Sequence, residues 1–210
     1  MNIIEVKNIS KKYGDITVLD NITVNFQKGK IYGLVGRNGS GKTVLLKCIC
    51  GFIKPSQGQI IINENKKYSD FGIMFEHAGF LPNYSGYNNL KMLAMIQNKI
   101  SKDDIIKVMN LVGLDPKSSK KVVKYSLGMK QRLGIAQSIM ENQDIIILDE
   151  PTNGLDNESV IQIRKIIMEL KEKDKLVIIS SHFKEDIDLL CDEVMELDKG
   201  KMIKYIKKSE

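Results

Sequence analysis

The sequence predicts an α/β fold with a mostly parallel central sheet, an N-terminal antiparallel β-subdomain and an inserted α-helical subdomain. Three observations predict it: the first sixty residues have strand patterns, residues 87–141 have helical periodicity, and strands alternate with helices from residue 142 onward. Such alternation is typical of a parallel sheet covered by helices on both faces. The 210 residues are interpreted as one domain, with a core at 1–86 and 142–210 and a helical subdomain at 87–141.

The N-terminal elements are predicted from alternation and from short apolar runs. Ile22, Val24 and Phe26 alternate with polar residues, QKGK forms a turn, and IYGLV is a buried strand. The segments GQIIIN and FGIMF have the same apolar character. They add two further strands.

The middle of the chain changes to a helical period. One apolar face recurs at i, i+3, i+4 and i+7, at Ile105, Val108, Met109 and Val112. Ser101 and Asp104 have the spacing of a capping box in front of this face. Met92, Met95 and Ile96 are expected in the core of the helical subdomain, with a Met-lined binding surface as the alternative.

Strands and helices alternate in the last third of the chain. DIIIL predicts a strand, and the next segment is a helix with Val160, Ile163, Ile167 and Leu170 on one face. KLVIIS predicts another strand, followed by a helix and a terminal hairpin around LDKGKM.

Composition excludes some classes of protein and leaves others open. No apolar run approaches the roughly 18–20 residues that span a bilayer, and the N-terminus lacks the apolar centre of a signal peptide, so a cytoplasmic protein is predicted. A net charge of +6 could suit nucleic acid, phosphates or an anionic membrane surface, but the lysines are spread along the chain, which favours an ordinary solvated surface. The three cysteines lack metal-ligand spacing and are interpreted as reduced, structural thiols.

The segment GRNGSGKT fits the pattern G-x-x-x-x-G-K-[ST] and lies between a strand pattern and a helix pattern. Glycines here let backbone N–H groups converge on phosphate oxygens, and the helix N-terminus adds positive potential. Lys42 can reach the β- and γ-phosphates, and the Thr43 hydroxyl can ligate Mg²⁺. The chain is therefore predicted to bind a nucleoside triphosphate. The nucleotide-binding residues are Gly36, Arg37, Asn38, Gly39, Ser40, Gly41, Lys42 and Thr43.

Two acidic residues end the apolar strand in IIILDEP. Asp149, at the carboxyl end of a parallel strand, is expected to face Mg²⁺ through water. Glu150 is placed to orient and deprotonate the attacking water. His182 closes LVIISSH, so it is expected at the same sheet edge, in contact with the γ-phosphate. Simple strand termination and an incidental histidine are the alternatives.

The order and rough spacing of the phosphate loop, YSLGMKQR, IIILDEP, NGLD and His182 resemble those of the ATP-binding-cassette (ABC) ATPases. YSLGMKQR occupies the place of that family's signature, usually LSGGQ. The resemblance implies ATP and Mg²⁺ as cofactors and a head-to-tail pair of ATPase domains, each signature contacting the γ-phosphate on the opposite domain. The residues that carry this trans contact are Ser126, Leu127, Gly128 and Met129. Leu127 and Met129 depart from the family's glycine and glutamine.

The resemblance extends to three further positions. Tyr13 corresponds to the aromatic residue that stacks on adenine, with a plain strand-edge tyrosine as the alternative, and Asp156 matches the loop that bridges the two sites of the dimer. Glu76 stands where the family has a glutamine that touches Mg²⁺ and the membrane partner. A glutamate there can still ligate Mg²⁺. Together with SLGMKQRLGIA, it resembles the ATPases of bacterial exporters for peptide antibiotics and lantibiotics, including immunity systems.

The resemblance thus implies the ATPase subunit of a bacterial ABC transporter, most simply an exporter. It would work with separate membrane permease subunits and a second ATPase domain, peripheral on the inner face of the cell membrane, and no nucleic acid is expected as a partner. A non-transport ABC ATPase acting on ribosomes or nucleic acid is the first alternative. A nucleotide-binding regulator that hardly hydrolyses ATP is the second, and a small-molecule kinase is the third.

Overall fold

A computed structural model describes residues 2–62, 67–75 and 79–208 of the chain. Their strands are β1 (Asn2–Tyr13), β2 (Ile16–Gln27), β3 (Ile31–Val35), β4 (Gln57–Ile62), β5 (Phe71–Met74), β6 (Ile145–Asp149), β7 (Leu176–Ser180), β8 (Glu193–Asp198) and β9 (Lys201–Lys207). Their α-helices are α1 (Lys42–Ile49), α2 (Gly86–Gln97), α3 (Lys102–Leu111), α4 (Leu127–Ile139), α5 (Asn157–Glu172) and α6 (Lys184–Leu190). Short 3₁₀ turns lie at Tyr68–Asp70 and Val122–Lys124.

The strands form two sheets. The first is antiparallel with the order β2-β1-β4, and the second has the order β5-β6-β7-β3-β8-β9. In the second sheet β5, β6, β7, β3 and β8 are parallel, while β9 returns antiparallel to β8 through the hairpin turn at Lys199 and Gly200. The predicted mostly parallel central sheet and N-terminal antiparallel sheet are therefore confirmed.

The central sheet lies between two apolar cores, and β6 shows how one strand supplies both. Ile145 and Ile147 belong to the core shared with the antiparallel sheet and α1, whereas Ile146 and Leu148 belong to the core under the remaining helices. Successive strand residues point to opposite faces, so a strand covered on both sides is a continuous apolar run rather than an alternating one. The four residues of IIIL are therefore all apolar, because each face of β6 is buried.

The helical segment packs its predicted face inward. Ile105, Val108, Met109 and Val112 are all buried. The capping box before α3 is present: Ser101 Oγ accepts from the Asp104 N–H at 3.2 Å, and Asp104 Oδ2 accepts from the Ser101 N–H at 3.0 Å. These contacts satisfy N–H groups that a helix start leaves unpaired.

The prediction for α2 was wrong about which face is buried. The side chains of Met95 and Ile96 are 68% and 78% exposed, whereas Leu90 and Ala94 form the buried face. Asn89 is also buried, because its side chain bonds the backbone N–H and C=O of Leu81. That polar anchor fixes the rotation of α2, so that Met95 and Ile96 face outward while Met92 stays partly buried.

Helix α4 lies directly against the central sheet. A Cβ atom on Gly72 of β5 would lie 1.7 Å from the backbone oxygen of Ser138 in α4. Helix α4 therefore packs the helical segment against the sheet. The boundaries of the helical subdomain, at residues 87–141, stay a prediction. In the described part of the chain, no helix is both long and apolar enough to cross a lipid bilayer.

Candidate functional site

The phosphate loop connects the end of β3 with the start of α1. Gly36 and Gly41 have φ values of 151° and 106°, which L-residues with a side chain rarely adopt. A Cβ on Gly36 would also lie 2.3 Å from the Leu197 carbonyl oxygen. The glycines of the pattern are therefore required by backbone conformation and by close approach to β8.

Lys42 and Ser40 supply the polar groups of this loop. The buried Lys42 ammonium donates to the Gly36 carbonyl at 2.7 Å and to the Arg37 carbonyl at 3.4 Å. The buried Ser40 hydroxyl has no hydrogen-bond partner among the described residues. An unpaired buried hydroxyl is costly, so this position suits an additional polar ligand.

The phosphate loop opens into a cavity of about 310 Å³. Its lining residues are Val18, Asn38, Gly39, Ser40, Gly41, Lys42, Thr43, Val44, Asp149, Glu150, Asn153 and His182. Most of the predicted nucleotide-binding residues thus meet both predicted carboxylates and the histidine. Gly36 and Arg37 belong to the same loop but do not line the cavity.

Asp149 ends β6 beside the start of α1. Its Oδ2 accepts from the Thr43 hydroxyl at 2.9 Å, and its Oδ1 accepts from the Ser180 hydroxyl in a short hydrogen bond. Asp149 and Ser180 are partners in the parallel register of β6 and β7. The sheet therefore presents a buried carboxylate oxygen next to a threonine hydroxyl, and both are oxygen ligands of the kind that Mg²⁺ prefers.

Glu150 follows β6 with an unusual backbone. Its φ is 53°, in the left-handed region that residues other than glycine rarely occupy. Backbone hydrogen bonds hold this conformation: the Glu150 N–H donates to Ser180 Oγ at 3.0 Å and to the Ser180 carbonyl at 3.2 Å, and the Glu150 carbonyl accepts from Gln131 Nε2 at 2.6 Å and from the Asn153 N–H at 3.2 Å. The strained turn aims the carboxylate into the cavity, where strain of this kind is typically found.

His182 lies beside this carboxylate. Its Nδ1 is 2.7 Å from Glu150 Oε2, and its backbone N–H donates to the same oxygen at 3.3 Å. The imidazole is about half exposed, while the Glu150 side chain is 14% exposed. The histidine was predicted at this sheet edge, but its contact with Glu150 was not.

The signature segment begins α4 away from this cavity. Ser126 is the N-cap, and its hydroxyl accepts from the Met129 N–H at 3.2 Å. Leu127 is 59% exposed, and its side chain covers Gly154, where a Cβ would lie 2.3 Å from Leu127 Cδ2. The leucine that departs from the family pattern is thus accommodated by a glycine of NGLD. Gly128 lies under Leu155.

Three further predicted residues have different outcomes. Asp156 is the N-cap of α5, and the hydrogen bond from the Ser159 N–H lowers the pKa of its carboxyl group. Tyr13 ends β1 half exposed, with the Lys11 ammonium 4.9 Å from its ring centroid, and it does not line the cavity. Glu76 lies outside the described residues.

Sequence reasoning missed Ser180, Gln131 and Asn153. Ser180 is the last residue of the run LVIIS. Had this strand been paired in parallel with IIILD, Ser180 would have been expected beside Asp149. Gln131 lies in the basic part of YSLGMKQR, where nothing in the sequence indicates a partner about twenty residues later.

The family model described as ABC transporter matches residues 19–153, which is more than half of the chain. The chain belongs to the ABC transporter family. This ABC ATPase is 45% identical over 205 residues to the uncharacterized ABC transporter ATP-binding protein YybJ of Bacillus subtilis (strain 168), covering 95% of this chain and 94% of the relative.

Two further relatives have names that state a transported compound. The bacitracin transport ATP-binding protein BcrA of Enterococcus faecalis is 38% identical, over 99% of this chain and 70% of the relative. The lantibiotic transport ATP-binding protein SrtF of Streptococcus pyogenes is 36% identical, over 95% of this chain and 89% of the relative.

A solved structure agrees with the fold. The bacterial ABC transporter cassette MJ0796, solved as a dimer, superposes with a TM-score of 0.88 at 22% identity, over 97% of this chain and 98% of that one. The predicted ABC ATPase fold is confirmed. This ABC ATPase is an ATP-hydrolysing subunit of a transporter, and the non-transport alternative is not favoured.

Proposed function

We propose that the chain powers a bacterial exporter of peptide antibiotics, of the lantibiotic or bacitracin kind, by ATP-driven pairing with a second cassette. The relatives that name a compound support this substrate class. The glutamate at position 76 adds the sequence resemblance described above. The protein would lie on the inner face of the cell membrane, bound to permease subunits.

The observation that carries the paired mechanism is the separation of two anion-binding devices. Lys42, Asp149 and Glu150 line one cavity, whereas no residue of Ser126–Met129 lines it. Yet the start of α4 has a hydroxyl, a glycine N–H and a helix dipole, which together suit phosphate. A second cassette, placed head to tail, gives these groups a phosphate to contact.

The residues present fit ATP and Mg²⁺. The buried, unpaired Ser40 hydroxyl and the Lys42 ammonium are suited to phosphate oxygens. Thr43 and Asp149 would hold Mg²⁺, which usually takes one or two carboxylates and completes its shell with phosphates and water. When bound, the metal neutralises charge that develops on the phosphates. Tyr13 is assigned to the adenine as an exposed aromatic surface.

Glu150 is assigned as the general base and His182 as its partner at the γ-phosphate. The 2.7 Å contact between His182 Nδ1 and Glu150 Oε2 orients the carboxylate in the cavity. A base must be held within hydrogen-bond reach of the water that it activates, and geometry of this kind precedes pKa in importance. Asp156 is assigned to the loop between the two sites.

A second groove, which shares no lining residue with the nucleotide cavity, is assigned to the membrane subunits. It measures about 340 Å³ between β5, α2 and α4, and Phe75, which directly precedes Glu76, lines it together with Gly79. Phe52 and Ile96 also line it, and these apolar side chains are 63% and 78% exposed. Two large apolar side chains exposed side by side in a groove suit burial by a partner, and a cytoplasmic segment of a permease is the proposed occupant.

A pull-down tests the proposed function. A tagged Glu150→Gln variant is incubated with detergent-solubilised native membranes, ATP and Mg²⁺, and bound proteins are identified by mass spectrometry. We expect a polytopic membrane protein in stoichiometric yield. Ile96→Asp, which places a charge in the groove, is expected to lose that protein while it keeps ATP binding.

The other outcomes separate the alternatives. Recovery of ribosomes or nucleic acid, lost as salt is raised, would contradict the transporter assignment. Recovery of a permease whose reconstituted complex exports no peptide antibiotic would contradict only the substrate class. A complex assembled with the wild-type chain that binds ATP and scarcely hydrolyses it would support the regulator.

A Ser126→Arg substitution tests the trans contact. We expect at least a tenfold loss of steady-state hydrolysis, because the hydroxyl proposed to contact the partner's phosphate is lost and the bulky arginine side chain keeps the two cassettes apart. The ATP affinity of the monomer should be unchanged. The change also removes the N-cap of α4, at a cost of about 1 kcal/mol. Ser85→Ala removes the equivalent N-cap of α2 and is the control: it should lower stability alone. Loss of monomer binding in Ser126→Arg would contradict the trans assignment.

A further inference from the structure

A buried carboxylate lies behind the site, outside the cavity lining. Asp186, in the first turn of α6, has a side chain that is 1% exposed. Its Oδ1 accepts from Arg164 Nε at 2.7 Å, and the same oxygen forms an ion pair with Arg164 Nη2 at 2.6 Å. Its Oδ2 accepts from the hydroxyls of Thr152 at 2.5 Å and Ser181 at 3.2 Å. Both oxygens are therefore fully used, and the charge is paired.

Such a buried pair is poor evidence of a contribution to stability, because desolvation of the two charges offsets their attraction. What distinguishes Asp186 is the origin of its two hydroxyl donors. Thr152 follows Glu150 by two residues, and Ser181 immediately precedes His182. Both hydroxyl residues are buried. The carboxylate thus joins the loop after β6 to the loop after β7.

These contacts close a ring around the proposed catalytic pair. The backbone joins Glu150 to Thr152, and a hydrogen bond joins Thr152 to Asp186. A second hydrogen bond joins Asp186 to Ser181, and the backbone leads from there to His182. His182 Nδ1 closes the ring by its contact with Glu150 Oε2. Ser181 Oγ also accepts from the Phe183 N–H at 3.0 Å, so the backbone is fixed on both sides of the histidine.

We infer that Asp186 is a positioning residue for ATP hydrolysis: through Thr152 and Ser181 it fixes the spacing of the two loops that carry Glu150 and His182. The inference rests on the roles proposed for those two residues. Asp186 touches no reacting atom. Its effect is to keep the 2.7 Å contact of the base and the histidine in place while the cavity binds and releases nucleotide.

A Thr152→Val substitution tests this positioning, because valine keeps the shape and removes the hydroxyl. We expect kcat to fall by about tenfold or more with KM and the ATP dissociation constant within twofold of wild type, since a displacement near 1 Å at a catalytic group can cost about 100-fold. Thr152→Ser restores the hydroxyl and should restore kcat. Ser181→Ala removes the other donor and should lower kcat in the same way.

Glu185→Gln is the matched control. Glu185 precedes Asp186, also contacts Arg164 at 3.0 Å, and is 73% exposed, so its charge can be removed without opening the ring. We expect wild-type kcat. A merely structural role for the ring would lower stability in Thr152→Val and leave kcat per folded molecule unchanged, which would overturn the inference.

Glu150→Gln and the double variant Glu150→Gln/Thr152→Val separate this inference from the proposed function. If Thr152 acts through Glu150 and His182, Thr152→Val costs much less in the Glu150→Gln background than in the wild type. A loss in the double variant as large as the loss that Thr152→Val causes alone, or failure of Thr152→Ser to recover, would overturn the positioning role and leave Glu150 as the base. Near-wild-type hydrolysis by Glu150→Gln would overturn the proposed base itself, and the inference with it.

Discussion

A Glu150→Gln variant is expected to bind ATP with wild-type affinity and to hydrolyse it about 10²–10⁴-fold more slowly, the usual cost of losing a general base. Glutamine has the same size, and the contacts that hold the residue's backbone come from Ser180 and Gln131, which the substitution does not change. The fold and the nucleotide cavity should therefore persist. Single-turnover hydrolysis and equilibrium ATP binding on the same preparation measure the two effects separately.

Glu172→Gln serves as the control for charge loss. Glu172 is exposed and is the last residue of α5. Only the first residues of this helix lie near the site, so Glu172 is at its distant end. Its hydrolysis rate should equal that of the wild type. A Glu150→Gln rate near the wild-type value would remove Glu150 from the role of base and direct attention to another group in the cavity.

The second large effect concerns folding. A Gly72→Ala substitution should destabilise the protein by about 3 kcal/mol or more, since overpacking a close contact usually costs 1–3 kcal/mol and this contact involves backbone. The added Cβ would lie 1.7 Å from the Ser138 carbonyl oxygen, and α4 would have to move away from β5. Urea denaturation measures the change in the free energy of unfolding.

Gly79→Ala is the control for this substitution. A Cβ there meets no atom of the described residues within 4 Å, and no positive φ constrains Gly79. Its unfolding free energy should lie within about 0.5 kcal/mol of the wild type, as for an ordinary surface substitution. Equal stability of the Gly72→Ala and Gly79→Ala variants would show that α4 can shift away from β5 at little cost.

The fold could be predicted because its strands and helices have strong patterns. IIILD and LVIIS are continuous apolar runs, as expected of strands buried on both faces, and the Ser101–Asp104 box marks the start of α3. The face of α2 could not be predicted in this way. Methionine and isoleucine on one side competed with leucine and alanine on the other, and the outcome depended on Asn89, whose partner lies in a preceding loop.

The candidate site, like the fold, could be predicted only in part. Lys42, Thr43, Asp149, Glu150 and His182 were predicted from motifs that end strands or begin a helix, and the structure places them around one cavity. Their roles stay predictions. The residues that hold them were not predicted, because a serine or a threonine has no distinctive pattern. Only the register of β6 against β7 makes the partners of Ser180 apparent.

Gln131 has a consequence for how two cassettes work together. It grips the Glu150 carbonyl from within α4, five residues after Ser126, which is about 7.5 Å along a helix at 1.5 Å per residue. In the proposed dimer, the N-terminus of α4 would therefore contact the phosphate of the neighbour's ATP. The same helix, between one and two turns later, holds the base that acts on the chain's own ATP. Release of phosphate at one site would then displace the base at the other, so hydrolysis at the two sites would be coupled.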